Sequence, residues 1–367
     1  MGILQPIWDG TFVYREPVCF SADKDGRPTG GTLLYQPEEI LSVTSFDGSV
    51  FYQPVRDYTA NGRQLVRTEA SRIPYLERSV YCKPFTGVPE TAWVRLSGGK
   101  AYMEVVSDVY RWQTLVTYTH RDKWAGFQPE ACGESLPRSM EKLRAGGDFH
   151  LTLYGDSITA GWEASGCNER AIDMVTLGEY HVSLWHAPYQ PAWAELVTNA
   201  LQARYPQSNV IKTNRAAGGS TVQWGGEHAA ELVPPCKPDL IMLGFGMNSM
   251  QESAEDYRRA ILSIIRTIRK ECHDCEFVLV SPMIPNPEIK GFQNNQLPAQ
   301  QGVLYQIAAE LEGVCIAPVH SVFREMTARG KHYLELTGNC INHPNDFSVR
   351  VYAQTVLRTL GVDGNDG

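Results

Sequence analysis

A serine stands directly behind a strand-like run and inside a tight turn in Leu153-Tyr154-Gly155-Asp156-Ser157-Ile158-Thr159. Residues 149–154 read as a short buried strand, and Gly155-Asp156 lets the backbone reverse. Ser157 then sits at the carboxyl end of a sheet, where open α/β sheets bind ligands, with its hydroxyl exposed and its amide free to face a substrate. Such a hydroxyl attacks a carbonyl once a base takes its proton. Read alone, the same serine is more simply an N-cap opening a helix. Three further stretches tip the balance. Asn214-Arg215-Ala216-Ala217-Gly218-Gly219-Ser220 follows a strand-like run, as does Leu243-Gly244-Phe245-Gly246-Met247-Asn248, and Asn342-His343-Pro344-Asn345-Asp346 precedes the last amphipathic segment. Each lies just past a strand or just before a helix, as one site at one sheet edge requires.

At these four blocks the sequence resembles the SGNH (GDSL) hydrolases, over roughly residues 148 to 362. The resemblance implies a nucleophile at Ser157, oxyanion donors at Gly219 and Asn248, and a base at His343. The chemistry agrees. Ester cleavage passes through a tetrahedral alkoxide, which needs pre-aimed donors, each typically worth about 3 to 4 kcal/mol. The amides of Ser157 and Gly219 and the side-chain NH2 of Asn248 are the expected three, with glycine at 219 keeping the backbone close to the oxyanion. Gly218-Gly219 as a plain turn and Asn248 as a cap are the structural alternatives.

One position departs from the family pattern. An Asp usually lies three residues before the His and holds the imidazole in its working tautomer, whereas here that position is Cys340. A neutral thiol cannot do this, and in serine proteases loss of the acid costs on the order of 10^4-fold. A main-chain carbonyl is the first candidate to orient His343, as in dyad-type carbohydrate esterases of this superfamily. Asp346 is the second, with capping of the final helix as its other role.

The elements that must hold these residues fall into two kinds. Before about residue 128, short alternating runs recur at 11–14, 32–35, 40–44, 50–53, 64–68, 92–96, 101–106 and 115–119, broken by Asp25-Gly26, Asp47-Gly48, Asn61-Gly62 and Gly98-Gly99. This punctuation predicts hairpins and an all-β, jelly-roll-like sandwich. Beyond it, strands are expected at 148–154, 209–213, 238–243, 276–281 and 313–318, and helices at 191–204, 253–271, 299–311, 320–329 and 347–360. The expected fold class is α/β, a flavodoxin-like three-layer SGNH hydrolase with a five-stranded parallel sheet, preceded by the sandwich. The division is 1–127 for the accessory sandwich, 128–147 for a linker with a short helix at 135–143, and 148–367 for the catalytic domain. In helix 253–271, Tyr257, Ile261, Ile264, Ile265 and Ile268 form a stripe that reads as core.

Composition sets the context. The 367 residues are 43% hydrophobic and carry a formal net charge of -8, enough for a proper core and unsuited to nucleic acid or anionic membranes. No stretch approaches the ~20 apolar residues of a membrane span. The N-terminal residues lack a secretory pattern, and Pro6 breaks the myristoylation motif that Met1-Gly2 begins. Nine scattered cysteines read as reduced thiols rather than a disulfide framework, so a cytoplasmic location is expected. Cys272-His273-Asp274-Cys275 is a lone CxxC without a second pair, and neither a metal nor another cofactor is expected.

Two loops are expected to shape the pocket. Residues 163–190 bring Tyr180, His181, Trp185, His186 and Tyr189 near Ser157 in sequence. Aromatic faces suit sugar rings, so Trp185, His186 and Tyr180 are candidate substrate contacts, with anchoring of a long loop as the alternative. The second loop, 282–288, is stiffened by prolines. A sandwich ahead of an SGNH domain is similar to the layout of carbohydrate esterase family 2, which implies an esterase removing O-acetyl groups from a small-molecule or oligosaccharide ester through a Ser-His dyad and an acyl-enzyme. A thioesterase or lysophospholipase, a non-catalytic carbohydrate-binding protein and an acyltransferase between sugars are the alternatives. The sugar, the acetyl position and any oligomeric state stay open.

Overall fold

The computed structural model describes residues 3–23, 25–77, 108–289 and 292–362. The N-terminal region is antiparallel: β1 (Phe12–Ala22), β2 (Pro28–Thr29), β3 (Pro37–Ser45), β4 (Tyr58–Asn61), β5 (Gln64–Arg67), β6 (Tyr75–Leu76) and β7 (Gln113–His120). β7 is central, pairing antiparallel with β1 on one side and β3 on the other. β2 and β6 extend the edge of β1, the latter in parallel. A register shift interrupts β1 between Val13 and Glu16, where Arg15 has φ 48°, the mark of a bulge. Asn61-Gly62 closes the β4–β5 hairpin with Gly62 at φ 57°, as the sequence expects. These sheets fit a β-sandwich.

Two expected strands are not formed. Residues 32–35 and 50–53 make single bridges, Thr32 to Gln64 and Thr44 to Phe51. Leu33, Leu34 and Tyr35 are all buried, so their apolar character serves packing without a ladder. The runs expected at 92–96 and 101–106, and the Gly98-Gly99 turn, lie outside the described residues.

After α1 (Pro137–Ala145), Gly146 at φ 91° ends the helix and the chain enters β8 (Gly147–Gly155). Then follow the hairpin β9 (Asn168–Ile172) and β10 (Glu179–Ser183), α2 (Trp193–Arg204), β11 (Ser208–Asn214), α3 (Val222–Leu232), β12 (Leu240–Gly244), α4 (Ala254–Arg269), β13 (Glu276–Val280), α5 (Leu297–Glu310), β14 (Val314–Ala317), α6 (Val319–Ala328) and α7 (Asp346–Leu360). The sheet order is β11-β8-β12-β13-β14, all parallel. This is the flavodoxin-like order, with the switch point at β8 and its neighbours.

Strand alternation divides the core. Leu240 and Met242 face one apolar cluster with Trp193 and Val197 of α2 and Val349, Tyr352 and Val356 of α7. Ile241 and Leu243 face another with α3, α5 and the α4 stripe Tyr257, Ile261, Ile264, Ile265 and Ile268. Two helical layers thus cover one sheet. The first cluster continues into the N-terminal region through Val13, Val18, Phe20, Val116 and Tyr118. Both regions therefore share one apolar interior.

Candidate active site

β8 ends where it meets β12. The Asp156 amide donates to Gly244 O at 3.2 Å, the Thr159 hydroxyl donates to the same oxygen at 2.8 Å, and a side chain on Gly155 would collide with both Gly244 O and Thr159. Glycine is therefore required at 155 by close approach. The chain then coils, with the Ala160 amide donating to Asp156 O at 2.9 Å and Trp162 N to Ser157 O at 3.1 Å. Ser157, 5% exposed, stands at the mouth of this turn.

His343 arrives from the opposite end of the catalytic region. Asn339 Oδ1 accepts the amides of Ile341, Asn342 and His343 at 2.9, 3.0 and 3.1 Å, and the Gly338 amide closes the loop on His343 O at 2.9 Å. Asn286 clamps it from outside, its Nδ2 donating to Cys340 O at 2.8 Å and its amide to Ile341 O at 2.7 Å. The result is a 2.8 Å hydrogen bond between Ser157 Oγ and His343 Nε2, the distance of a serine poised to lose its proton.

The two middle blocks are laced to the first. The Ala217 amide and the Ser220 hydroxyl both donate to Gly155 O, at 2.9 and 3.1 Å, and Asn248 Nδ2 donates to Ser220 O at 3.0 Å. Among the described residues the amides of Ser157 and Gly219 donate to no protein atom, and Asn248 keeps its second amide hydrogen on an exposed side chain. Gly219 has φ +80° and open space where a Cβ would point. Its backbone conformation is one that favours glycine.

What faces the other imidazole nitrogen differs from expectation. No main-chain carbonyl accepts from His343 Nδ1 among the described residues. Asp346 is turned away, its carboxylate accepting the amide and hydroxyl of Ser165 at 2.9 and 2.7 Å, while Asn345 caps α7 by accepting Ser348 N. Cys340, at φ 57°, is buried in an apolar cluster with Val109, Tyr333 and Leu334. The acid beside the ring is Glu163, with Oε1 3.7 Å from His343 Nδ1. The Trp162 ring packs edge-on to the imidazole, centroids 5.7 Å apart. Burial pushes the Asp156 carboxyl up to about 6, against amide hydrogen bonds and the nearby His343 that favour its charged form.

A family model for GDSL-like lipases and acylhydrolases matches residues 153–348, more than half of the chain. The chain belongs to this family. Its members act as ester hydrolases, and all four blocks lie within the matched span. No curated protein matches the chain. Among solved structures, it is similar to a two-domain esterase (CEX) active on acetylated mannans, co-crystallised with mannopentaose, at 20% identity and TM-score 0.48, over 64% of this chain and 55% of that one. It is also similar to Axe2, an acetylxylan esterase from Geobacillus stearothermophilus, at 20% identity and TM-score 0.46, over 59% of this chain and 96% of that one. The chain thus spans about half the length of the two-domain esterase.

Of the expected substrate contacts, Trp185 is 67% exposed and lies against Tyr189, ring centroids 5.1 Å apart. His186 anchors its loop instead: its ring packs against Tyr110 and Phe46 at 5.3 and 5.9 Å, and its amide donates to Ser165 O. Tyr180 is half-buried against the core from β10. His181 lies on the same strand, its ring hydrogen-bonded to Asn168. Glu163, Trp162 and Asn339 were not expected. A lone acid in the otherwise small and apolar run from Ile158 to Ala164 is the signal for Glu163.

Proposed function

We propose that this protein is a serine esterase that removes acetyl or similarly short acyl groups from acetylated carbohydrates. The observation that carries the reading is the 2.8 Å contact between Ser157 Oγ and His343 Nε2 at the carboxyl end of the parallel sheet. Ser157 attacks the acetyl carbonyl while His343 takes the hydroxyl proton. The alkoxide is received by the Ser157 and Gly219 amides and by the second hydrogen of Asn248 Nδ2, whose first is held by Ser220 O. His343 then protonates the departing sugar oxygen, leaving acetyl on Ser157, and next activates water to release acetate. A recessed nucleophile, 5% exposed, favours a small acyl group. The exposed Trp185–Tyr189 ring pair favours a sugar, whose C–H faces stack on aromatics.

The test is acetate release from acetylated mannan and xylan oligosaccharides, with 4-nitrophenyl acetate and octanoate in parallel. Acetyl turnover well above octanoyl turnover is expected, and Ser157→Ala is expected to lose on the order of 10^4-fold or more. Undiminished turnover by folded Ser157→Ala overturns the mechanism. Faster octanoate turnover overturns the substrate class alone.

A further inference from the structure

Glu163 has no part in the four-block pattern, yet it holds a costly position. Its side chain is 1% exposed, and Oε2 has no hydrogen-bond partner among the described residues. Burying a carboxylate without a cation costs on the order of several kcal/mol. The backbone adds a second cost, since φ is +71°, a left-handed conformation that glycine adopts freely and glutamate does not.

The surroundings enforce this placement. Tyr110 donates its hydroxyl to Glu163 O. Gly338 leaves room for the side chain, because a Cβ at 338 would stand 3.0 Å from Glu163 Cβ. Gly338 belongs to the loop closed on His343, so the turn bearing the serine and the loop bearing the imidazole meet at this carboxylate. Across the contact His343 Nδ1 is also buried and without a hydrogen-bond partner among the described residues, 3.7 Å from Glu163 Oε1.

We infer that Glu163 is the positioning acid of the site, accepting a hydrogen bond from the Nδ1–H of His343 so that Nε2 stays free for Ser157, and balancing the imidazolium that forms during attack. The inference rests on the Ser157–His343 mechanism proposed above. It replaces the neutral acceptor expected from sequence with a carboxylate drawn from the nucleophile's own turn. At 3.7 Å the contact is longer than a hydrogen bond, and it tightens when the ring becomes cationic, as such contacts do on going from free enzyme to transition state. The other titratable groups close to this pair are Asp156, whose Oδ1 accepts the Ile158 amide at 3.0 Å, and Tyr110 and Cys167, both held protonated by burial.

Glu163→Gln keeps the size and removes the charge. The expected result is a kcat lower by about 10^2- to 10^4-fold with KM little changed. The acid limb of its pH–rate profile is expected to move to lower pH, since losing a neighbouring negative charge disfavours the imidazolium. Glu163→Asp is expected to recover part of the rate. A folded Glu163→Gln enzyme of wild-type rate overturns the assignment, and so does one whose rate falls while the acid limb stays in place. Ser157→Ala assayed alongside separates the two ideas: if it is inactive while Glu163→Gln is unimpaired, only the role of Glu163 fails. If Glu163→Gln does not fold, nitrogen NMR of the wild-type protein decides the matter. An Nδ1-protonated His343 at neutral pH supports the assignment, and the Nε2-protonated tautomer overturns it.

Discussion

The Asp156 carboxyl sits beside Ser157 with its pKa raised from the ordinary value near 4 to about 6 by burial. Below that ordinary value the folded and unfolded chains both hold the proton, and nothing is gained or lost. Between about 4 and 6 only the folded chain holds it, so stability falls as pH rises through this window and levels off above it. Asp156→Asn keeps an oxygen for the Ile158 amide and cannot ionise. Its stability relative to wild type is expected to grow by about 2 kcal/mol between pH 4 and pH 6.5, read from urea unfolding at each pH. Contributions from titrating groups that do not interact with Asp156 cancel in that difference. At this scale the sequence was informative about Ser157, Gly219, Asn248 and His343 because each sits in a local motif. It was silent about Glu163, since no spacing rule links position 163 to an imidazole at 343.

α3 is not among the expected elements, and its interior carries Gly225-Gly226, a pair that disfavours a helix. The structure gives the two glycines different reasons. A Cβ at 225 would lie 2.6 Å from the buried Phe245 ring, whereas one at 226 meets nothing within 4 Å. Thr221 caps the helix by accepting Trp224 N, which offsets part of the low propensity. Gly225→Ala is therefore expected to destabilise by about 1 to 3 kcal/mol through overpacking, and Gly226→Ala to stabilise by about 0.5 to 1 kcal/mol, both measured by thermal or chemical unfolding. The β9–β10 hairpin falls within 163–190, a stretch expected to be a loop. Its turn is built by Asp173 Oδ1 accepting the amides of Val175 and Thr176, with Leu177 at φ 56°, and carries no Asn-Gly or Asp-Gly pair. The five parallel strands and the five expected helices were legible because each centres on a cluster or alternation of apolar residues, as short as Val210-Ile211 in β11.

The N-terminal sheet is joined to the catalytic region by more than apolar contact. Lys331, fully buried, lies 2.9 Å from Glu16 of β1 and 3.3 Å from Glu335, and donates to the carbonyls of Pro17 and Thr32 at 2.6 and 3.1 Å. Glu335 in turn accepts the amides of Cys19 and Gly31 at 3.1 and 2.8 Å. Lys331→Met leaves two buried carboxylates without their shared cation and is expected to cost about 3 to 5 kcal/mol, seen as a lower midpoint in thermal unfolding. No helix among the described residues is long and apolar enough to cross a membrane. The sequence by itself determined the kinds of layer and the order of the motif blocks, because hydrophobic period and turn chemistry are local properties written within a few residues. Only the tertiary structure decided which acid faces His343 and how the two regions lock together, because a buried charge takes its partner from whatever the fold brings within a few ångströms, at any distance along the chain.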